Sequence, residues 1–504
     1  MKKMIEVSAG VVYDEKGSLL LCQRTGPLSG LWEFPGGKAE AGETPSDCLL
    51  RELKEELNLT VRVGGKLGEV TREEETRVLH LTFLQARCEG VQPEVQLSAH
   101  KQVRWVDPGD IPALPFCPAD GEFLSSTRLP VLHPVILVIN PGSTSTKVSL
   151  YVGEQERFTR SIFHDAPELL SFPTVNDQTP FRRKTVENLL SEYGYTPGDV
   201  DLFVGRGGSA YPQPAGVMEI DETLYRDTVL AVGGSDHPAK LGVMLSWEMG
   251  RELGKPAYTL NPTNVDELED LARLTGIEGV YRNAQSHVLN QKAVARRHAE
   301  KLGKPYEACN LIVCHIDGGI TVNAHRQGRM VDGNVGSGGD GAFTPTRIGS
   351  VPVLTLLDSG LSPQELRRMC SRSGGFVSFF GTSDADKIHA LAMEGDPKAS
   401  LVWRGMIYQI AKQIGEMAVV LRGQVDGILL TGGLVRFVDL VEGIREYCQW
   451  IAPISLYPGE MEQEELARAA LRVWQGKEKA GKYSGKPVWQ GFPWEREEND
   501  DLPG

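Results

Sequence analysis

Val135-Ile-Leu-Val-Ile-Asn140-Pro-Gly142-Ser143-Thr144-Ser145-Thr146-Lys147-Val148-Ser149-Leu150-Tyr151 is the stretch whose reading decides the fold of most of the chain. Its opening apolar, largely β-branched run predicts a buried strand. Asn140-Pro-Gly142 is a turn signal, and the alternation around Val148 and Leu150 predicts a returning strand. The tip carries consecutive hydroxyls, one lysine and a glycine that lets backbone N–H groups come close. Such a tip offers donors and positive charge suited to phosphate oxygens, although the same composition also occurs in an ordinary polar hairpin loop.

Two further stretches share the pattern. Leu311-Ile-Val-Cys-His315-Ile-Asp317-Gly318-Gly319-Ile-Thr-Val322 reads as strand, glycine-rich turn, strand. Gly427-Ile-Leu-Leu-Thr431-Gly432-Gly433-Leu434 reads as a strand running into a Gly-Gly turn. Three such turns can line the two sides of a nucleotide cleft. Val200-Asp-Leu-Phe-Val204 predicts a strand that delivers Gly205-Arg206-Gly-Gly208, and a glycine-flanked arginine after a strand is a good anion clamp. A charged helix is expected between Pro180 and Tyr195.

Together with Ser286-His287-Val-Leu-Asn290-Gln-Lys292-Ala-Val-Ala-Arg296 and Phe343-Thr-Pro345-Thr-Arg347, these motifs resemble those of the butyrate kinases. These belong to the acetate kinase family, within the superfamily of acetate kinase, hexokinase and actin. The resemblance runs from about Val135 to Gly476. It implies a two-lobed, ribonuclease H-like (actin-like ATPase) α/β fold with a hinge near 261–290. The implied activity is ATP-dependent phosphorylation of a short-chain, butyrate-like carboxylate to an acyl phosphate. It also implies roles for individual residues: Arg206, Arg347 and His287 in catalysis, and Asn140, Ser143, Thr144 and Lys147 at the phosphate end. Gly318 and Gly319 would pass under the β- and γ-phosphates, Gly432 and Gly433 would adjoin the adenosine, and Glu462 would help hold Mg²⁺. The chain departs from the family at Lys240, Asn261, Asp317, Thr346 and Met461. Asp317 replaces a glycine, and a carboxylate beside a phosphate turn is expected to repel the ligand.

Residues 1–124 form a separate predicted domain. Trp32-Glu33-Phe34-Pro35-Gly36-Gly37-Lys38 leads through Glu43 into Arg51-Glu52-Leu53-Lys54-Glu55-Glu56-Leu57-Asn58. Thr44 can cap a helix, Pro45 fits its first position and Asp47 sits where a capping acid is wanted. On that helix Glu52, Glu55 and Glu56 can converge on one side, as Mg²⁺ requires, and Arg51 can orient a carboxylate by a bidentate pair. The alternative is a solvated Glu/Lys-rich helix. The motif resembles the Nudix box of mutator-type hydrolases, which implies an α/β/α sandwich and a Mg²⁺-dependent nucleotide pyrophosphohydrolase. Glu52, Glu55 and Glu56 would be the metal ligands, with Glu56 also catalytic. Relatives carry a further glutamate near Ala99 or Lys101, which this chain lacks, and Asp120 lies where they read the base.

The 504 residues carry a net charge of −14 and 40% hydrophobic residues, enough for real cores. The charge argues against nonspecific nucleic-acid binding and against an anionic membrane surface. Neither a signal peptide nor a run long enough to span a membrane is read, and eight scattered cysteines without a CxxC pair predict reduced thiols in the cytoplasm. Residues 125–134 are expected as a linker, 135–476 as the kinase-like domain and 477–504 as a loose, flexible tail. The expected partners are ATP, a carboxylate and a nucleoside phosphate, and a homo-oligomer is compatible. A second hypothesis keeps a working hydrolase tethered to a kinase-like module that binds nucleotide or acyl ligand with little transfer. A third makes both sites regulatory.

Overall fold

The structure is a computed structural model that describes residues 2–14, 18–26, 28–88, 100–106, 111, 113–126, 134–234 and 236–496. Ala99 and most of 125–134 lie outside the described residues. The chain is mixed α/β and divides into two compact units, Met1–His133 and Pro134–Gly504.

In the first unit, β1 (Lys3–Tyr13) pairs with β2 (Leu19–Gln23), and β2 in turn with β3 (Trp32–Glu33). After β3 come β4 (Gly36–Lys38), α1 (Pro45–Leu57), β5 (Val61–Glu73), β6 (Arg77–Cys88), β7 (Gln102–Val106) and α2 (Pro118–Ser126). β1 runs parallel to β6 along its whole length and antiparallel to β4. Neighbouring residues of β1 serve opposite layers, as strand geometry requires. Val11 and Tyr13 join a core with Phe83 and Phe123, whereas Val12 joins Leu49, Leu53 and Leu57 of α1. Helices therefore cover the two faces of the sheet. α1 begins as its sequence predicts, with the Thr44 hydroxyl accepting from Asp47 N (3.2 Å). It ends at Asn58, whose left-handed φ of 55° is tolerable for an asparagine.

The second unit repeats one arrangement twice. Its first sheet contains β8 (Val135–Pro141), β9 (Ser145–Val152), β10 (Gln155–Phe163), β11 (Leu202–Gly205), β12 (Val217–Glu219) and β13 (Ala257–Leu260), ordered β10-β9-β8-β11-β13-β12. After a small hairpin of β14 (Leu274–Ile277) and β15 (Val280–Tyr281), the second sheet contains β16 (Asn310–Ile316), β17 (Ile320–Arg326), β18 (Arg329–Gly333), β19 (Gly427–Gly432) and β20 (Ile454–Pro458). Its order is β18-β17-β16-β19-β20. In both sheets an antiparallel three-strand meander is followed by two parallel strands.

Each sheet lies between helices. α3 (Thr179–Glu192) and α4 (Leu241–Leu253) pack with Leu137, Ile139 and Phe203 on one face of the first. α5 (Val288–Lys301) covers Leu311, Val313 and Leu429 of the second sheet, and α6 (Pro397–Val420) covers Ile312, Cys314 and Leu430 on its other face. α7 (Glu462–Trp474) returns to the first sheet against Ile136, Val138 and Val204. Each such fully buried aliphatic side chain contributes about 1.5–3 kcal/mol.

The expectation of a loose tail is corrected over 477–495. Gly481 pairs with Met218. Tyr483 is buried, donates to Asp227 Oδ2 (3.1 Å) and accepts from Tyr211 N (3.2 Å). Trp489 and Phe492 contact Tyr281 edge-on. Aromatic burial outweighs the Gly/Lys-rich composition that suggested disorder.

Candidate functional site

In the first unit the acids after β4 are organised by Arg51. Its Nε and Nη2 donate to the two oxygens of Glu43 (2.9 and 3.0 Å), and Nη1 donates to Glu52 (2.9 Å) and Glu55 (3.3 Å). The Arg51 hydrogen bonds hold the Glu43 carboxyl down at about 2. Gly37 is glycine because a Cβ there would stand 2.2 Å from the Glu52 carboxylate carbon. The Glu56 carboxyl is pushed up by burial and by the charges of Glu52, Glu33 and Glu55, against a lowering influence from His100. Carboxylates that disfavour one another's ionisation in this way fit a divalent cation.

His100, which the sequence reading passed over, stands between two of these acids. Its Nε2 is 3.5 Å from Glu33 and its Nδ1 3.9 Å from Glu56. A cleft of about 430 Å³ beside them is lined by Glu33, Glu56, His100 and Asp120 among others. Asp120 accepts from Phe34 N (2.9 Å), and burial pushes its carboxyl up to about 7.

In the second unit, β8, β11 and α7 bring together Asn140, Arg206 and Glu462. Arg206 Nη1 lies 3.0 Å from the buried Glu462 carboxylate, which also accepts from Asn140 Nδ2 (3.0 Å). Gly205 allows α4 to approach, since a Cβ there would stand 2.0 Å from Gly242 O. Lys147 Nζ is 4.0 Å from Glu460, whose carboxyl is raised to about 7 by burial and by Glu462. Ser143 meets His237 (3.3 Å) instead of this cluster. Thr144 is exposed, its carbonyl accepting from His164 N.

Arg347 is mostly buried and donates to Gly336 O. Its Nε is buried without a partner among the described residues. Gly319 makes room for it, because a Cβ there would meet Arg347 Nη1 at 2.5 Å. His287 and His315 stack at 3.9 Å. His315 was missed in the sequence, where it sits inside an apolar strand run. Burial holds both imidazoles below their usual range, to about 4 for His315, and the charges of Arg206 and Arg347 act on both in the same direction. Neutral rings need a tautomer. Asn290 Nδ2 donates to His315 Nδ1 (2.9 Å), its Oδ1 being engaged by Met461 N. His287 Nδ1 lies 2.9 Å from the Thr321 hydroxyl, which already accepts from Gln291. In His315 the proton therefore rests on Nε2, whereas the Thr321 hydroxyl can either donate to or accept from His287.

The departures from the family pattern are also placed. Asn261 is buried and accepts from Gly216 N (2.8 Å), so its oxygen is already committed. Lys240 pairs with Asp236 at 2.5 Å. Thr346 donates to Gly318 O (2.8 Å), as does Thr344 (2.7 Å). Asp317 lies among the glycines and its carboxylate oxygens accept from Gly318 N and Gly433 N, each at 2.8 Å. Gly432, at a φ of 101°, brings β19 against Ile316.

Fold and sites thus define a two-domain α/β protein: an acid-lined sandwich followed by a duplicated sheet-and-helix unit with convergent arginines and glycine turns. Residues 4–126 match the NUDIX domain model, and residues 276–443 match the Acetokinase family model. The chain accordingly joins an N-terminal NUDIX domain to a domain of the acetokinase family. Among solved structures it is similar to an acetate kinase from Porphyromonas gingivalis (18% identity, TM-score 0.53, 68% of this chain and 100% of that one). It is also similar to a propionate kinase from Francisella tularensis (15%, 0.54, 67% and 98%) and to an acetate kinase from Entamoeba histolytica (16%, 0.54, 66% and 98%). At these identities the likeness establishes the fold. Among the described residues no helix is long and apolar enough to cross a membrane.

Proposed function

We propose that the second unit transfers the γ-phosphoryl group of ATP to a short-chain, butyrate-like carboxylate, and that the first is a Mg²⁺-dependent nucleotide pyrophosphohydrolase. The observation that carries the kinase reading is Arg347: a half-buried guanidinium whose Nε is buried without a partner and which has no carboxylate partner among the described residues. A buried charge without a partner is costly, and an anionic substrate supplies that partner. A carboxylate oxygen attacks the γ-phosphorus, the β–γ bridging bond breaks, and ADP leaves with that bond's electrons. The nucleophile is already ionised and needs no base.

Arg347 and Arg206 hold the carboxylate and the equatorial phosphoryl oxygens, with His287 beside them, and the Nε2–H group of His315 adds a neutral donor. Asn140, Ser143, Thr144 and Lys147 serve the phosphate end. Gly318, Gly319, Gly432 and Gly433 let the nucleotide approach the backbone. When bound near Glu462, Mg²⁺ would neutralise phosphate charge. In the first unit Glu52, Glu55 and Glu56 would hold Mg²⁺ at the pyrophosphate, and Arg51 keeps their geometry. We place the protein in the cytoplasm, since all eight cysteines are free thiols.

The test is hydroxylamine trapping of acyl phosphate with the full chain, MgATP and C2–C5 acids. Hydroxamate above a no-enzyme control, largest with butyrate, is expected. None with any acid would leave the second reading, a nucleotide- or acyl-binding module with little transfer, which the carboxylate of Asp317 among the glycine amides favours.

A further inference from the structure

The glycine turns after β16 and β19 lie side by side at the carboxyl ends of parallel neighbours, with His315 opposite Thr431. Ligands of α/β sheets gather at such ends, and clustered backbone amides there form an anion cradle. In this chain the cradle is filled from within. The two oxygens of Asp317 take one amide from each turn, Gly318 N and Gly433 N, both at 2.8 Å. The fit is close, because a Cβ on Gly433 would stand 2.7 Å from Asp317 Oδ2. The hydroxyls of Thr344 and Thr346 hold the Gly318 carbonyl from the other side, which fixes the turn in this orientation. A carboxylate accepting from two amides has the shape and charge of two phosphate oxygens. Arg347, by contrast, makes no such bond to Asp317, and its Nε has no partner among the described residues.

We propose that Asp317 is a specificity-determining residue that stands in for a nucleotide phosphate in the amide cradle. A polyphosphate must displace it, whereas a single carboxylate at Arg347 need not. The resting cleft therefore discriminates against nucleoside polyphosphates and stays open to a small monoanion. This rests on the kinase reading for the identity of the two ligands. It differs from simple charge repulsion, which would weaken every anion. It also differs from a cation site formed by His315, Asp317 and Glu460, whose ligand atoms lie within 4.8 Å of one another. That alternative is disfavoured by His315 Nδ1, which already accepts from Asn290, and by the two amides on Asp317.

The test is calorimetric titration of the full chain and of its Asp317→Gly and Asp317→Asn variants. The probes are the Mg²⁺ complex of α,β-methylene ATP, whose bridge resists pyrophosphohydrolase cleavage, and butyrate. The first unit is identical in all three proteins, so differences report the second. Asp317→Gly should bind the nucleotide at least about fivefold more tightly while butyrate affinity changes by less than about twofold. Asp317→Asn, close to isosteric, should gain less, because one side-chain oxygen still occupies one amide. Unchanged nucleotide affinity in Asp317→Gly would overturn the proposal, and an equal gain for butyrate would replace it with general repulsion. Weaker Mg²⁺-dependent binding would make Asp317 a metal ligand. Tighter nucleotide binding without any acyl hydroxamate would leave the role of Asp317 standing and remove the transferase instead.

Discussion

Arg206 and Arg347 act on the same two imidazoles but are held in opposite ways, and their variants should separate accordingly. Arg206 neutralises Glu462, which is 3% exposed. Arg206→Ala leaves that carboxylate with Asn140 and should cost about 3 kcal/mol of stability as well as turnover. Arg347→Ala removes a charge that has no carboxylate partner among the described residues, so it should unfold no more easily than the parent. It should still lose ~10²–10³ in acyl phosphate formation, with smaller effects on nucleotide affinity. Urea titration and steady-state kinetics on both variants check the contrast.

His315 supplies a pH test. Its folded pKa, about 4, lies below the unfolded value near 6.5. Between those values the unfolded chain binds the extra proton, so the stability this ring contributes is present above 6.5 and lost as pH falls. The slope is about 1.4 kcal/mol per pH unit. His315→Asn should flatten the pH dependence of the second unit's urea midpoint between pH 6.5 and 4. Glu460, raised to about 7, has the opposite slope in part of that window, which makes the single-variant comparison necessary.

At the scale of elements, the two glycine turns form one joint. Gly433→Ala would press a methyl against Asp317 Oδ2 and should cost about 1–3 kcal/mol. In an Asp317→Gly background the same substitution meets no carboxylate and should cost much less. Denaturation of the four proteins of this cycle would show that non-additivity, and additive costs would mean that the turns are independent.

The strands that lead into the joint were legible in the sequence, because Leu311–Ile316 and Ile428–Leu430 lie in largely apolar runs closed by turn residues. So was the capped α1, from Thr44, Pro45 and Asp47. The direction of the Asp317 side chain was not. The sequence places an acid beside a glycine turn, but repulsion and acceptance depend on where the amide of Gly433, beyond β19 and more than a hundred residues away, comes to lie. His315 was hidden because a histidine in a buried strand reads as core. Its signal was the polar residue at the carboxyl end of an otherwise apolar run. His100 was not legible as a site residue, because a lone histidine carries no motif and its two acids, Glu33 and Glu56, come from β3 and α1.

At the scale of the whole molecule, the repeated strand order places β8 and β16 in equivalent positions, each ending in a turn at the site. The shared strand–turn–strand pattern was legible in the sequence, whereas the pairing of β11 with β8 and of β19 with β16 is set by long-range packing and was not. The segment after α7 closes the second unit. Tyr483→Phe removes the hydroxyl shared by Asp227 and Tyr211 N and should cost about 1–3 kcal/mol, measurable as a lower urea midpoint of that unit.

Trp489 lies on this closing segment, with the Arg273 guanidinium 4.6 Å from its ring centre and Tyr281 at its edge. An indole held between a cation and a second ring emits differently from one in water. The protein thus carries its own optical gauge at the far end of the chain. The part of its fluorescence lost in Trp489→Phe would report, in real time and without a dye, whether the segment loosens when a ligand enters the cleft.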